Sequence, residues 1–263
     1  MKVVILAGGY GTRISEESHL KPKPMIEIGG QPILWHIMKE YFHYGFNDFI
    51  ICLGYKGYKI KEYFNNYFLY TSDVTFDFEK NTMNIHSSHS EDWKVTLVDT
   101  GLKTLTAGRV KRIQKYIENE PFMLTYGDGV SDINIKELVS FHKKKGKIAT
   151  LTSYNFGQRF GIVETDENSN VTDFREKKTS DGSLINAGYM VFNPEIFNFL
   201  PTNSDEVMLE EVFDKLVQKK ELAAYNHKGF WFGMDTQRDK KQLEDMWNSR
   251  KCKMENMGRI IIW

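Results

Sequence analysis

The sequence is poor in cysteine, with only two in 263 residues, which removes a disulfide framework from consideration. Cys52 lies inside the run FIICLG and reads as a small buried core residue, so a reducing cytoplasm is the expected setting. Neither sign of charge is in excess. Thirty-five lysines and arginines balance 35 aspartates and glutamates, leaving no overall field to attract nucleic acid or an anionic membrane. No apolar run approaches the length needed to cross a bilayer. The opening MKVVILAGG reads as a strand stopped by glycines, not as a secretion signal. Internal repeats, low-complexity tracts and a linker between domains are missing as well. What is present is 41% apolar and 14% aromatic residues, ample for one substantial core.

Apolar strand-like runs alternate with helical stretches through the first half. VVILAGG is followed by QPILWHIMKEYFHYG, where Ile33, Ile37 and Tyr41 recur at i+4, as do Leu34, Met38 and Phe42. Pro32 suits the first helical turn and Gly45 the stop. DFIICLG, WKVTLVDTG, PFMLTYGDG and KIATLTSYN then read as strands, separated by the helices YKIKEYFNNYF, AGRVKRIQKYIEN and IKELVSFHKKKG. This alternation predicts βαβ units, hence an α/β fold with a mixed, mostly parallel central sheet. In the second half GIVETDENSNVTDFREK reads as two strands joined at a turn around Asn168–Asn170. LAAYNHKGFWFGMD reads as a strand pair, and TQRDKKQLEDMWNSRK as a helix. The segment Asp73–Asp92 is a candidate hairpin insertion. One domain over residues 1–263 is expected, with a nucleotide-binding half of about 1–150 and a second half of about 151–263 for the other substrate and for oligomer contacts.

In an open α/β sheet the ligand lies beyond the carboxyl ends of the strands, so the stretch LAGGYGTRISEESHLKPKP after the first strand carries most weight. Gly8, Gly9 and Gly11 let backbone N–H groups approach a phosphate, with Arg13, Lys21 and Lys23 close behind. The dinucleotide fingerprint fails because Ile14 stands where the third glycine belongs, and a P-loop fails because no G-K-[ST] follows. Pro22 and Pro24 are expected to hold Lys23 in an extended segment. Asp128, between two glycines at the end of an apolar strand, and Asp235 in FGMDT are two carboxylates that one Mg²⁺ could share. Arg109 lies where TAGRVKR opens a helix, a position that favours phosphate. Solvated surface charge is the plainer reading of each of these features taken alone. His86 and His89 form H-x-x-H without a third ligand, so zinc is not expected. The aromatics of YFHYGF and EYFNNYFLY are read as core or subunit interface, and the apolar MGRIIIW as docked on its own domain or a neighbour.

LAGGYGTR and KPKP together resemble the signature of the sugar-1-phosphate nucleotidylyltransferases. The likeness is strongest to their cytidylyl branch and extends through GGQPILWHIMKEYFHYGFNDFIICLGYKGYKIKEYFNNYF, VTLVDTG, TYGDGV, INAGYMVFNP and FWFGMDTQRD. It implies a Rossmann-like three-layer α/β/α architecture, the nucleotide-diphospho-sugar transferase fold. It also implies the reaction of CTP with α-D-glucose 1-phosphate, assisted by Mg²⁺, in a homohexamer serving surface-polysaccharide (O-antigen) synthesis. By the same resemblance Leu6, Ala7, Gly8, Gly9, Tyr10, Gly11, Thr12 and Arg13 wrap the nucleotide, helped by Thr104 and Arg109. Arg13, Lys23 and Asp128 serve the reaction, and Asp128 with Asp235 holds the metal. Tyr126, Glu176, Lys177 and Asn186 meet the sugar phosphate, although Lys178 replaces the proline usual after Lys177. The rival expectations are a UTP- or dTTP-dependent transferase and a non-catalytic sugar-nucleotide sensor. A sensor would be expected to have lost Arg13, Lys23, Asp128 or Asp235, and all four are present.

Overall fold

The computed structural model describes residues 1–155, 162–165, 171–175, 184–201 and 204–249. Among these, seven strands form the central sheet: β1 (Lys2–Ala7), β2 (Asp48–Leu53), β3 (Lys94–Asp99), β4 (Phe122–Tyr126), β5 (Ala149–Asn155), β6 (Leu184–Phe192) and β7 (Leu222–His227). Their order is β7-β5-β6-β4-β1-β2-β3. β1 pairs in parallel with β2 and β4, β2 with β3, and β5 with β7. Only β6 runs against its neighbours, antiparallel to both β4 and β5. The sheet is mixed and mostly parallel, as the alternation of elements predicts.

The middle strands are apolar throughout because both faces are covered. Val3, Ile5 and Ala7 point into one core, together with Phe49, Ile51 and Leu53. Val4 and Leu6 point into the other, with Ile50 and Cys52. Helices α1 (Ile33–His43), α2 (Gly57–Asn65), α4 (Ile135–Lys145) and α6 (Gln237–Asn248) cover the first face. Helices α3 (Thr106–Arg112) and α5 (Leu209–Gln218) cover the second through Val110, Leu209, Val212 and Leu216. Three layers result. Cys52 sits in the second core, where burial pushes its thiol up to about 12, so it packs and does not react.

The chain passes from β1 outward to β2 and β3, then crosses back to lay β4 on the other side of β1. The strand order therefore reverses between β1 and β4, which opens a crevice beyond their carboxyl ends. Smaller two-stranded pairings complete the picture. Ser72–Asp77 pairs with Thr82–Ser88, which makes the expected hairpin insertion. Ile162–Thr165 pairs with Val171–Arg175 as expected; the turn residues between them lie outside the described residues, as do Cys252 and MGRIIIW. The expected strand pair in LAAYNHKGFWFGMD does not form. Its first half becomes β7 beside β5, and its second, Trp231–Gly233, pairs with Gly129–Ser131. The break falls where Asp132 accepts the Phe230 N–H at 2.6 Å and turns the chain toward β4.

His36 on α1 is buried between the rings of Trp35 and Trp247, each with its centroid 5.1 Å away. Its Nε2 donates to the Ile28 carbonyl at 2.8 Å. Burial lowers its pKa from 6.5 to about 4. The unfolded chain then binds the proton first, so this contribution is complete above pH 6.5 and lost as pH falls toward 4. The loss is worth about 3 kcal/mol. Melting curves across that window should fall steeply for the native protein and less so for His36→Gln; equal slopes would refute the assignment.

Candidate active site

The glycine loop leaves β1 at Ala7 and is fixed from below by one arginine. Arg109 is 5% exposed. Its Nη1 donates to the Leu53 carbonyl at 3.0 Å and to Thr100 Oγ1 at 2.7 Å, and its Nη2 to the Gly8 carbonyl at 3.0 Å. Burial is the main cause lowering its pKa. Gly8 is glycine for a steric reason, because a Cβ there would lie 2.0 Å from Arg109 Nη1. Gly11 has φ of 65°, which a side chain would strain. Arg109 lines the cleft as expected, but these donors are committed to protein acceptors, so it clamps the loop to the end of β2. Gly8→Ala should displace the guanidinium and cost ~1–3 kcal/mol. A thermal melt and CTP titration would detect it, and an unchanged Tm would sink this account of the clamp.

Lys23 stands at the floor. Pro22 is extended as expected (φ −66°, ψ 149°), but Lys23–Met25 then forms a single 3₁₀ turn instead of continuing the extended run. The turn drops the lysine into the cleft, where it is 9% exposed. Its Nζ donates to Asp128 Oδ2 and to Asp235 Oδ1, both at 2.6 Å. Arg13 Nη1 donates to Asp235 Oδ2 at 2.8 Å. Two cations and two carboxylates thus form one charge-balanced cluster.

The two aspartates meet because Gly129–Ser131 and Trp231–Gly233 pair with Gly129 opposite Gly233. The pairing continues as the Met234 N–H donates to the Asp128 carbonyl at 2.8 Å. Asp235 is then held by a residue that the sequence reading missed. Asp239 Oδ2 accepts from the Asp235 N–H at 3.1 Å, and from the N–H and hydroxyl of Thr236, each at 2.8 Å. Thr236 and Asp239 form a capping box at the start of α6. The T-x-x-D in DTQRD was the available signal, since a short acceptor at N3 satisfies free N–H groups there.

The crevice is lined by Leu6, Ala7, Gly8, Gly9, Tyr10, Gly11, Thr12, Arg13, Lys23, Thr104, Arg109, Tyr126 and Asp128. All are residues singled out from the sequence. Leu102, Lys103, Leu105, Thr106, Gly127 and Met208 line it too and were missed, as does Pro24, expected only to hold Lys23. Most of the missed residues follow β3 or β4, and the rule that sites form at carboxyl ends of strands points to those loops. At the rim the Tyr10 ring lies 5.4 Å from that of Tyr55. Tyr126 donates its hydroxyl to Glu210 Oε1 at 2.9 Å, and burial raises its pKa.

The other end is less complete. Asn186 is exposed near the start of β6, and its Oδ1 accepts the Gly188 N–H at 2.9 Å. It is not among the residues lining the crevice. Glu176 and Lys177 lie outside the described residues. The structure therefore gathers the residues expected to meet the nucleotide together with Tyr126, expected at the sugar phosphate, while Asn186 stands outside the crevice.

Comparison with known proteins bears on the whole chain. Glucose-1-phosphate cytidylyltransferases of Salmonella typhi and Salmonella typhimurium (strain LT2) are each 52% identical to it over 253 residues, covering 96% of this chain and 98% of theirs. Among solved structures, a UDP-glucose pyrophosphorylase complexed with UDP-glucose superposes with a TM-score of 0.68 at 18% identity. The match covers 95% of this chain and 98% of that one. At that identity the likeness concerns the fold. The family model for Nucleotidyl transferase matches residues 2–243, from the first strand into α6. That span holds the glycine loop, the lysine between two aspartates and the sheet that positions them, and the chain belongs to the nucleotidyl transferase family.

Proposed function

We propose that the protein transfers CMP from CTP to α-D-glucose 1-phosphate, giving CDP-glucose and pyrophosphate. The observation that carries this reading is Lys23 held between Asp128 and Asp235 at the floor of a glycine-loop crevice. The 52% identity to glucose-1-phosphate cytidylyltransferases supports the choice of substrates. The nucleophile in such a transfer is a phosphate oxygen that is already anionic, so no general base is required. The protein's work is to align two phosphates and offset their charge.

The roles are those the family resemblance implies, and the crevice lining supports the ones at the nucleotide. The backbone of Leu6–Gly11, clamped by Arg109, holds the nucleotide beside Thr104. Thr12 and Arg13 face the β- and γ-phosphates. Lys23 meets the α-phosphate, where charge builds as the new bond forms and pyrophosphate leaves. Tyr126, Glu176, Lys177 and Asn186 hold the sugar phosphate.

A divalent cation fits the donors present. Two carboxylates within 2.6 Å of one ammonium already share a cation site. Among the described residues no group of three or more His, Cys, Asp and Glu gathers to hold a metal. Mg²⁺ suits a site with few protein ligands, because it takes one or two carboxylates and completes its shell with phosphate oxygens and water. Asp128 and Asp235 would hold it, and bound Mg²⁺ would neutralise phosphate charge.

Pyrophosphate release from glucose 1-phosphate with CTP, UTP, dTTP, ATP and GTP, with and without Mg²⁺, tests the reading. CTP with Mg²⁺ should be the productive pair. Turnover with UTP or dTTP alone would overturn the base assignment, and no turnover with any nucleotide would favour a sensor. A homo-oligomer, hexameric by resemblance, and a cytoplasmic role in O-antigen synthesis belong to the same proposal. Phe76, Phe78, Met83 and Ile85 on the hairpin insertion are exposed, as a subunit contact would require. A monomeric mass by light scattering would refute the oligomer.

A further inference from the structure

The helix α1 packs an apolar face on the sheet, and one acid intrudes on it. Ile33, Ile37 and Tyr41 are fully buried, and Glu40, seven positions after Ile33 and three after Ile37, is only 5% exposed. Among the described residues no lysine, arginine or histidine pairs with it. Its Oε2 lies 2.7 Å from the hydroxyl of Tyr189 on β6, and that hydroxyl lies 3.2 Å from the Gly129 carbonyl oxygen. Its Oε1 is buried and makes no well-formed hydrogen bond among the described residues, with the Ser131 N–H facing the carboxyl.

The distances and the burial together favour one placement of protons. A carbonyl can only accept, and Tyr189 has one hydrogen to give. If Glu40 were ionised, its Oε2 and the Gly129 oxygen would compete for that hydrogen, and a buried charge would have only Tyr189 and the Ser131 N–H to offset it. If Glu40 keeps its proton, Oε2–H donates to Tyr189 and Tyr189 donates to Gly129, so the chain is satisfied in one direction. Burial acts the same way, holding the Glu40 carboxyl well above the usual carboxylate range.

Gly129 directly follows Asp128, whose own carbonyl accepts from the Met234 N–H. The two peptide groups are thus pinned separately, one across the small strand pair and one from beneath. We propose that Glu40 is a positioning residue for the transfer: with Tyr189 it forms a one-way hydrogen-bond relay that fixes the Gly129 peptide and so aims the Asp128 carboxylate. The inference rests on the role proposed above for Asp128.

Three variants test it, read by steady-state kinetics and by electron paramagnetic resonance of Mn²⁺ binding in the presence of CTP. Glu40→Gln keeps a donor at the right place and should hold kcat within about twofold. Glu40→Met and Tyr189→Phe break the relay. They should lower kcat by about tenfold or more and weaken Mn²⁺ binding by about tenfold, as loss of an outer partner of a metal ligand does. KM for CTP should stay nearly constant. Tyr189→Phe removes one oxygen and keeps the ring stacked on Tyr41, 5.9 Å away, so it should fold even if Glu40→Met does not. A role in packing alone would lower Tm and leave Mn²⁺ binding unmoved. Glu40→Gln as impaired as Glu40→Met, or Tyr189→Phe binding Mn²⁺ like the native protein, would overturn the relay. If the native protein makes no pyrophosphate, the functional reading falls, and Mn²⁺ binding still decides the relay.

Discussion

Lys23→Ala is expected to lower kcat by about 10²–10³-fold, the usual cost of removing one preorganised donor from the developing charge. CTP affinity should weaken by less than about tenfold, because the loop backbone, Arg13 and the metal still hold the triphosphate. The unequal effect follows from where the ammonium is kept. Two carboxylates hold it at 2.6 Å each, before substrate arrives. Its position is therefore prepared in advance, so little reorganisation is left for the transition state. Single-turnover rates and calorimetric CTP binding would separate the two effects. Equal losses in both would confine Lys23 to binding.

Asp128→Asn should lower the rate by about 10²-fold or more and raise the Mg²⁺ concentration needed for half-maximal rate, since a neutral amide is a poor partner for a hard cation. Asp235→Asn should do the same and also free Arg13, whose Nη1 now bonds Asp235 at 2.8 Å. The double variant should be hardly worse than either single one, because groups that act as a unit lose most of their effect when the first is removed. Rates titrated with Mg²⁺ provide the measurement. An unshifted Mg²⁺ curve for Asp128→Asn would remove that carboxylate from the metal site.

Much of this was legible in the chain because it is local. The continuous apolar run Val3–Leu6 marks a strand buried on both faces, and the glycines after it mark the loop proposed to hold phosphate. The meeting of Asp128 with Asp235 was less legible. It depends on a three-residue strand pairing across the fold, for which neither segment carries a periodic signal of its own. The commitment of Arg109 was hidden for a similar reason, since its acceptors are the carbonyls of Gly8 and Leu53, set by where β1 and β2 end. Asp239 and Glu40 were visible in principle, one as a cap and the other as an acid on an apolar helical face.

β6 runs against its neighbours, and that reversal has a consequence for how the protein can change over time. Asn155 at the end of β5 pairs with Leu184 at the start of β6, so residues 156–183 leave and rejoin the sheet at one rim. The same rim holds the ends of β1 and β4, because β6 is antiparallel to β4. A span with both ends at one edge is an exchangeable cassette: its length and sequence can be rewritten without re-threading a single strand. Glu176 and Lys177, proposed to greet the acceptor, are carried on it. Were Glu176 and Lys177 to hold the acceptor as proposed, a lineage could alter the acceptor within this span while inheriting the nucleotide end unchanged.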